Sequence, residues 1–514
     1  MPVPSPRTAA TALSTLVRAG LLRPPRPDQA LGMATALAFW GVSPAGGYAM
    51  HAARRPRATA LVDPEGSLTF REVDRLTTAL AAALRADGVE AGQPVGVLCR
   101  NDRRFVLSVV ALSKIGATAV LLNTGSAAPQ LAEVAESERL VAVLCDPSFV
   151  DRAPPGLPAY GDLLALAAEH ADAKPRQPGE QGKYVILTSG TTGAPKGARR
   201  SPPSSLEPVV ALLSAMPLRA GEPTVVAAPL FHAWGFLNWT LAITIGSTVV
   251  LTGSFEAEAT LRAVEDNRAT ALVAVPVMLR RLLAVDAAYD TSSLRVVPVS
   301  GSALPPDVAT RFLDRFGDVL YDLYGSTEVA WAAIAGPDDM RDAPGSVGRP
   351  PYGTTVALLD EDGAPVPPGE VGRIFVGNGM TFNGYTSGGG KEVRDGLVST
   401  GDLGRFDAEG RLYVVGREDD MVVSGGENVF PRPVEDVLSK LPGVADVAVV
   451  GVPDEEFGQR LKAVVVTEPG AALTADDVRD AVRRELARHY VPRDVEFTDA
   501  LPRTETGKVL KRSL

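Results

Sequence analysis

Tyr184-Val-Ile-Leu-Thr188-Ser189-Gly190-Thr191-Thr192-Gly193-Ala-Pro-Lys196-Gly197 runs from four apolar or aromatic residues straight into a series of hydroxyls and glycines. The first four read as a buried strand. Glycines at its exit permit positive φ, so successive backbone N–H groups can converge on one anion. The hydroxyls of Thr188, Ser189, Thr191 and Thr192 add adjustable donors, and Lys196 adds a positive charge. The alternative, a solvated glycine-rich loop, leaves the strand, the hydroxyls and the lysine unexplained. The order is not that of a P-loop NTPase, which places Ser or Thr after Gly-Lys; here the order is Lys196-Gly197-Ala198. A phosphate-binding enzyme of another kind is implied.

The surroundings read as alternating strands and helices. Asp63-Pro-Glu-Gly66 predicts a chain reversal between two short strands. Thr69 and Glu72 have capping-box spacing before a helix carrying Val73, Leu76, Leu80 and Leu84 on one face. Strands are expected at 95–99, 118–122, 141–144, 224–228, 248–251, 271–275 and 295–300. This order predicts an α/β fold with layered, largely parallel sheets covered by helices. After about residue 345, Gly, Pro and Asp recur every few residues and predict hairpins of a β-rich part. From about residue 420 a small α+β segment follows, with strands at 444–450 and 461–467 and a helix starting near Thr474.

Composition narrows the classes. The 514 residues exceed one ordinary domain, and a net charge of −10 gives no support for nucleic-acid binding. Cys99 and Cys145 each end an apolar run and read as inert core thiols, which fits a reducing cytoplasm. Residues 29–53 carry no formal charge, yet Pro44 and Gly46-Gly47 interrupt them. That stretch can pack on the body, touch a membrane surface peripherally or, least in keeping with its length, span one.

The string Thr188–Gly197 resembles the phosphate signature of the adenylate-forming superfamily: acyl-CoA synthetases, firefly luciferase and peptide-synthetase adenylation domains. Further motifs follow in that family's order. They are Pro229-Leu-Phe-His232-Ala-Trp-Gly235, Tyr324-Gly325-Ser326-Thr327-Glu328, Ser399-Thr-Gly-Asp402, Gly416-Arg417 and Gly507-Lys508. The resemblance implies a large N-terminal domain over 55–418, a small mobile lid over 419–514 hinged at Asp419, and an apolar extension over 1–54. It further implies that Tyr324 stacks on adenine, with Gly301, Ser302 and Ala303 on the other face. Thr327 would meet the α-phosphate, Glu328 would ligate Mg2+, and Asp402 with Arg417 would hold the ribose. Lys508 resembles the lysine of the adenylating step, and His232 a residue near the substrate carboxylate, with a structurally buried histidine as its rival reading. Met421-Val-Val-Ser-Gly425-Gly426 resembles the stretch along which CoA ligases pass pantetheine.

The resemblance therefore implies an ATP-dependent acid–CoA ligase using ATP, Mg2+ and coenzyme A. Its partners are small molecules, and the oligomeric state stays open, a homodimer among the options. Apolar candidates for the acyl pocket are Trp234, Trp239, Val275, Met278 and Val329. A medium- or long-chain fatty acid is the first expectation, and an aromatic, polyketide- or terpenoid-derived acid the second. An acyl-AMP ligase serving a carrier protein, a β-lactone former and a non-catalytic scaffold are the rivals.

Overall fold

The computed structural model describes residues 6–22, 24–188, 196–200, 205–382, 384–386, 388–418, 420–424, 427–454, 458–504 and 507–514. Two sheets form the large body. In the first, strands Ala159–Tyr160, Ala142–Cys145, Pro94–Leu98, Thr118–Leu121 and Lys183–Thr188 lie parallel in that order, and Lys196–Arg200 closes the edge antiparallel. In the second, Ala271–Val273, Thr224–Val226, Val249–Val250 and Thr59–Asp63 are parallel, and Gly66–Thr69 returns as the expected hairpin. Parallel strands need covered faces, and their near-continuous Val, Leu and Ala runs are almost wholly buried.

Helix starts obey local chemistry. Thr69 accepts from the Glu72 backbone N–H at 3.2 Å while Glu72 accepts from the Thr69 N–H at 2.7 Å, which completes the capping box of the Phe70–Ala86 helix. Thr474 does the same for Ala475–Glu485 through Asp477.

The extension forms three helices, Pro6–Arg18, Pro27–Trp40 and Pro44–Arg54. The chain turns at Gly41, whose φ is +62°, and Gly46-Gly47 sit inside the third helix rather than breaking it. These helices pack on the body: Lys114 lies 5.2 Å from the Trp40 ring, and the Trp239 indole donates to the Tyr48 hydroxyl at 3.4 Å. Among the described residues no helix is long and apolar enough to cross a membrane.

Three further sheets complete the chain. Val297–Val299 and Leu320–Tyr324 are parallel neighbours, with Ala333–Ala335 antiparallel beside them. Strands Thr355–Leu359, Gly372–Gly377, Val393–Arg394, Leu397–Phe406 and Leu412–Arg417 form the antiparallel β-rich part. Beyond it, Val444–Asp454 and Gly458–Thr467 anchor a small α+β unit. Its apolar core, with Val434, Leu438, Val449, Val465, Val478 and Val482, is separate from that of the body.

Candidate active site

The 183–188 and 196–200 strands form a hairpin in which Thr188 pairs with Lys196. Both ends of the glycine-rich loop are thus fixed side by side at the carboxyl end of a parallel strand, where α/β sheets place ligands. Ser189, Gly190, Thr191, Thr192 and Gly193 lie outside the described residues. Gly197 has no room for a side chain: an added Cβ would sit 2.6 Å from Glu138, Thr386 and Val185 atoms.

Two more carboxyl ends converge nearby. Val299 pairs with Asp322 in the parallel 297–299 and 320–324 strands. Continuing that register by two residues brings Gly301 level with Tyr324. The turn at Gly301, φ +98°, precedes Ser302 and Ala303, both beyond the end of the strand. Tyr324 donates its phenolic hydrogen to Asp402 Oδ2 at 2.6 Å. Asp402 pairs across the 397–406 and 412–417 strands with Arg417, whose Nη1 lies 3.9 Å from Oδ1. Burial pushes the Asp402 carboxyl up, against the pull of Tyr324, Arg417, Arg432 and Lys391. An acceptor in this setting gains by binding further donors, as two neighbouring hydroxyls would provide.

The loop after Tyr324 is closely packed. A Cβ on Gly325 would lie 2.2 Å from the Ala330 carbonyl oxygen, and Ala330 itself has φ +63°. Ser326 accepts from the Glu328 N–H at 3.2 Å, and half-buried Thr327 lies between them. Glu328 accepts from the Tyr385 hydroxyl at 2.7 Å. Burial raises the Glu328 carboxyl, but bonds from Tyr385, Ser326 and the backbone, with the Lys391 charge, leave it below its ordinary value. A half-buried carboxylate kept ionised fits one ligand of a Mg2+ ion whose other ligands are phosphates and water.

His232 occupies the N-cap position of the Ala233–Thr244 helix, and its ring centroid lies 4.4 Å from that of Phe231 with the planes tilted by 45°. Burial lowers its pKa to about 4, and its Nε2 is buried without a hydrogen-bond partner. The ring is thus held neutral, with one nitrogen that no protein group engages.

The lid end reaches the body. Thr504 and Lys508 close a turn through the Thr504 N–H to the Lys508 carbonyl at 2.8 Å, with Gly507 at φ +80°. A Cβ on Gly507 would lie 2.6 Å from Val277, on the Pro276–Leu283 helix. The residue two before, Val275, is the nearest neighbour of the Gly301 turn. Exposed Lys508 thus follows a turn that rests on the 276–283 helix of the body. Asp446 ties the two parts, 3.0 Å from Arg280 of the body and 2.5 Å from Arg503 of the lid.

The acyl-pocket expectation needs one correction. Trp234 is buried and donates to the Ala274 carbonyl at 2.8 Å, and Val275 and Met278 are buried close by. Trp239 instead faces the core, among Tyr48, Phe105 and Phe236. Five residues along a helix turn it about 140° away from Trp234. Val329 packs with Leu358, Ile374 and Val376 in the β-rich part. Gly425, Gly426 and Asp419 lie outside the described residues, as do the side chains of Thr188 and Lys196. Three residues escaped the sequence reading: Tyr385 and Lys391 beside Glu328, and Arg432, which lines a small cavity with Asp322. Only the Gly384-Tyr385 turn offered a local signal.

Comparison with known proteins accords with this layout. Residues 48–386 match the AMP-binding enzyme family, and 433–508 match the AMP-binding enzyme C-terminal domain. The indoleacetate–CoA ligase of Aromatoleum aromaticum is 36% identical, covering 90% of this chain and 95% of that protein. A feruloyl-CoA synthase of an Amycolatopsis species is 36% identical, covering 89% and 95%. The structure of the anthranilate CoA ligase AuaEII with anthranoyl-AMP superposes with a TM-score of 0.84 at 26% identity, covering 92% of this chain and 96% of that one.

Proposed function

Because the chain belongs to the AMP-binding enzyme family, as an AMP-forming acid–thiol ligase that uses ATP, Mg2+ and coenzyme A, we propose that its acid substrate is a ring-bearing, largely apolar carboxylic acid. The substrate reading moves away from the fatty acid that the sequence alone favoured. It is supported by relatives named for indoleacetate and ferulate, and by the buried Trp234, Val275 and Met278 near His232.

The site assignment is supported by the Tyr324–Asp402 bond beside the end of the parallel 320–324 strand, by the Tyr385–Glu328 bond and by the packing of the Gly507 turn on Val277. Tyr324 and the Gly301–Ala303 turn would enclose adenine, and Asp402 with Arg417 would hold the ribose. Thr188, Lys196, Thr327 and the loop between the two 183–200 strands would hold the phosphates. Glu328 would hold the magnesium, which supplies charge neutralisation on the phosphates. The substrate carboxylate oxygen attacks the α-phosphorus, and the bond to pyrophosphate breaks. Lys508 would offset negative charge at both reacting groups, while neutral His232 borders the carboxylate. The thiolate of CoA, passing Gly425 and Gly426, then attacks the acyl carbonyl and AMP departs. A turn about Asp419 would withdraw Lys508 between the two steps.

The exposed Leu13, Val17, Leu22, Leu31 and Leu37 of the extension also fit peripheral contact with a bilayer, which co-sedimentation with vesicles tests. The substrate reading is tested by an acid panel measured for AMP and pyrophosphate, with and without CoA. Aryl acids should be consumed in preference to fatty acids, and acyl-CoA should accumulate. Acyl-AMP that ignores CoA would instead point to a carrier-protein or amine acceptor.

A further inference from the structure

Lys391 follows Thr386-Ser387-Gly388-Gly389-Gly390, and the chain is pinned on both sides of it. On one side the Thr386 N–H donates to the Gly197 carbonyl at 2.8 Å, which ties the segment to the hairpin carrying the glycine-rich loop. Gly388 and Gly389, with φ of +86° and +79°, then turn the chain, and the Tyr385 N–H donates to the Gly389 carbonyl at 3.3 Å. On the other side the Ser399 N–H, on the 397–406 strand, donates to the Glu392 carbonyl at 2.9 Å. A long side chain is thus launched from a fixed point.

Its amino group is left over from the ion pairs around it. Glu392 pairs with Arg373 and with Arg394, each at 2.6 Å, and Glu418 lies 3.1 Å from Arg373. Half-buried Lys391 has no hydrogen-bond or ion-pair partner for its amino group among the described residues. Its Nζ lies 3.3 Å from the point that a Cβ on Gly401 would occupy, and Arg417 Nη2 lies 3.5 Å from the same point. Two cations therefore meet over the Gly401 turn, φ +78°, immediately before Asp402. Tyr324 and Arg417 engage Asp402, and Tyr385 engages Glu328, so neither carboxylate closes on the lysine. The Lys391 charge nevertheless reaches both, and holds each lower than burial alone would.

From this geometry we infer that Lys391 binds the α-phosphate of the bound nucleotide, the one phosphate that ATP, the acyl-adenylate and AMP share. The inference rests on the nucleotide site proposed above, in which Asp402 and Arg417 hold the ribose and Glu328 the magnesium. The α-phosphate links the ribose to the metal-bound phosphates, and a cation that acts on both carboxylates stands along that link. An ammonium suits a phosphate oxygen as a point charge with three donors. Lys391 belongs to the β-rich part, whereas Lys508 is carried by the lid. Lys391 therefore stays with the phosphate when Lys508 withdraws, and holds the acyl-adenylate in place for the attack of the CoA thiolate.

The test measures binding of AMP and of adenosine to the full-length protein by calorimetry, because adenosine keeps the base and ribose and lacks the phosphate. Lys391→Met should weaken AMP binding about tenfold, the scale of one charge-assisted bond, and leave adenosine binding unchanged. Lys391→Gln is a second neutral variant, with the same loss expected, if the methionine protein fails to fold. Lys391→Arg should recover most of the AMP affinity. Thioester formation from supplied acyl-AMP should require about tenfold more acyl-AMP in Lys391→Met, with its maximal rate retained. An unchanged ratio of AMP to adenosine affinity, or an equal loss of both ligands, overturns the role of Lys391 and leaves the nucleotide site standing. Wild-type protein that binds neither ligand overturns the nucleotide site itself, and the inference with it.

Discussion

Tyr385 donates its phenolic hydrogen to Glu328 at 2.7 Å across 57 positions of sequence. The bond helps hold the carboxylate ionised inside a half-buried site, against a desolvation that would otherwise raise it. A group with a lowered folded pKa contributes fully above its unfolded value and loses that contribution as pH falls through the folded one. Tyr385→Phe should therefore move the acid limb of activity to higher pH. It should also raise the Mg2+ concentration for half-maximal pyrophosphate exchange about tenfold, the scale of one bond to a charged group. An unaltered magnesium dependence would detach Tyr385 from the metal-binding carboxylate.

Gly325→Ala probes the loop between Tyr324 and Glu328. The new methyl would meet the Ala330 carbonyl oxygen at 2.2 Å, a backbone atom that cannot swing aside. Overpacking of this kind costs about 1–3 kcal/mol, and the nearby nucleotide loop should absorb the displacement. ATP affinity measured by calorimetry is expected to fall while the thermal transition drops by only a few degrees. Wild-type affinity would mean that the loop yields elsewhere.

The sequence made much of this legible, and the failures follow a rule. Capping at Thr69 and Thr474 and the buried strands depend on neighbours a few residues apart, and they appear where the pattern put them. Trp239 was misjudged because its aromatic surroundings outweighed its helical phase, although the spacing from Trp234 already held the answer. Tyr385, Lys391 and Arg432 are different. They meet Glu328 or Asp322 only after the β-rich part and the lid fold back onto the body, so no local pattern announces them. Pro44 and Gly46-Gly47 argued against one spanning helix, and the chain does divide just before them into the Pro27–Trp40 and Pro44–Arg54 helices. Pro44 is tolerated in the first turn of a helix, and Gly47 serves close packing against Ile243.

His51 offers a pH test remote from the chemistry. Burial lowers its pKa to about 4, helped by the charge of Arg55, and its ring lies 5.1 Å from Phe70. Below pH 6.5 the unfolded chain takes up a proton that the folded chain refuses until about pH 4. Stability should fall across that window, by on the order of 3 kcal/mol for this residue. His51→Phe removes the titration while keeping a ring against Phe70. Its melting temperature should decline less steeply between pH 6.5 and 4 than that of the wild type. Parallel profiles would show that other groups govern acid unfolding.

Asp446 and Lys508 should separate the two half-reactions. Lys508 is exposed on a turn whose Gly507 rests on Val277, and Asp446 braces that arrangement by bonding Arg280 and Arg503 together. Lys508→Ala removes the charge itself and should slow acid-dependent pyrophosphate exchange by roughly 100- to 1,000-fold. Asp446→Ala leaves the lysine in place but sets two arginines facing each other, so the lid should spend less time closed in this orientation. Exchange should drop about fivefold to tenfold, since two half-buried charge pairs are worth only some 1–2 kcal/mol against water. Thioester formation from supplied acyl-AMP should be nearly unaffected in both variants, because that step does not require the Lys508 turn beside Val277. If Asp446→Ala slows the thioester step as much as exchange, the Arg280–Asp446–Arg503 contact stabilises the lid fold rather than its closure.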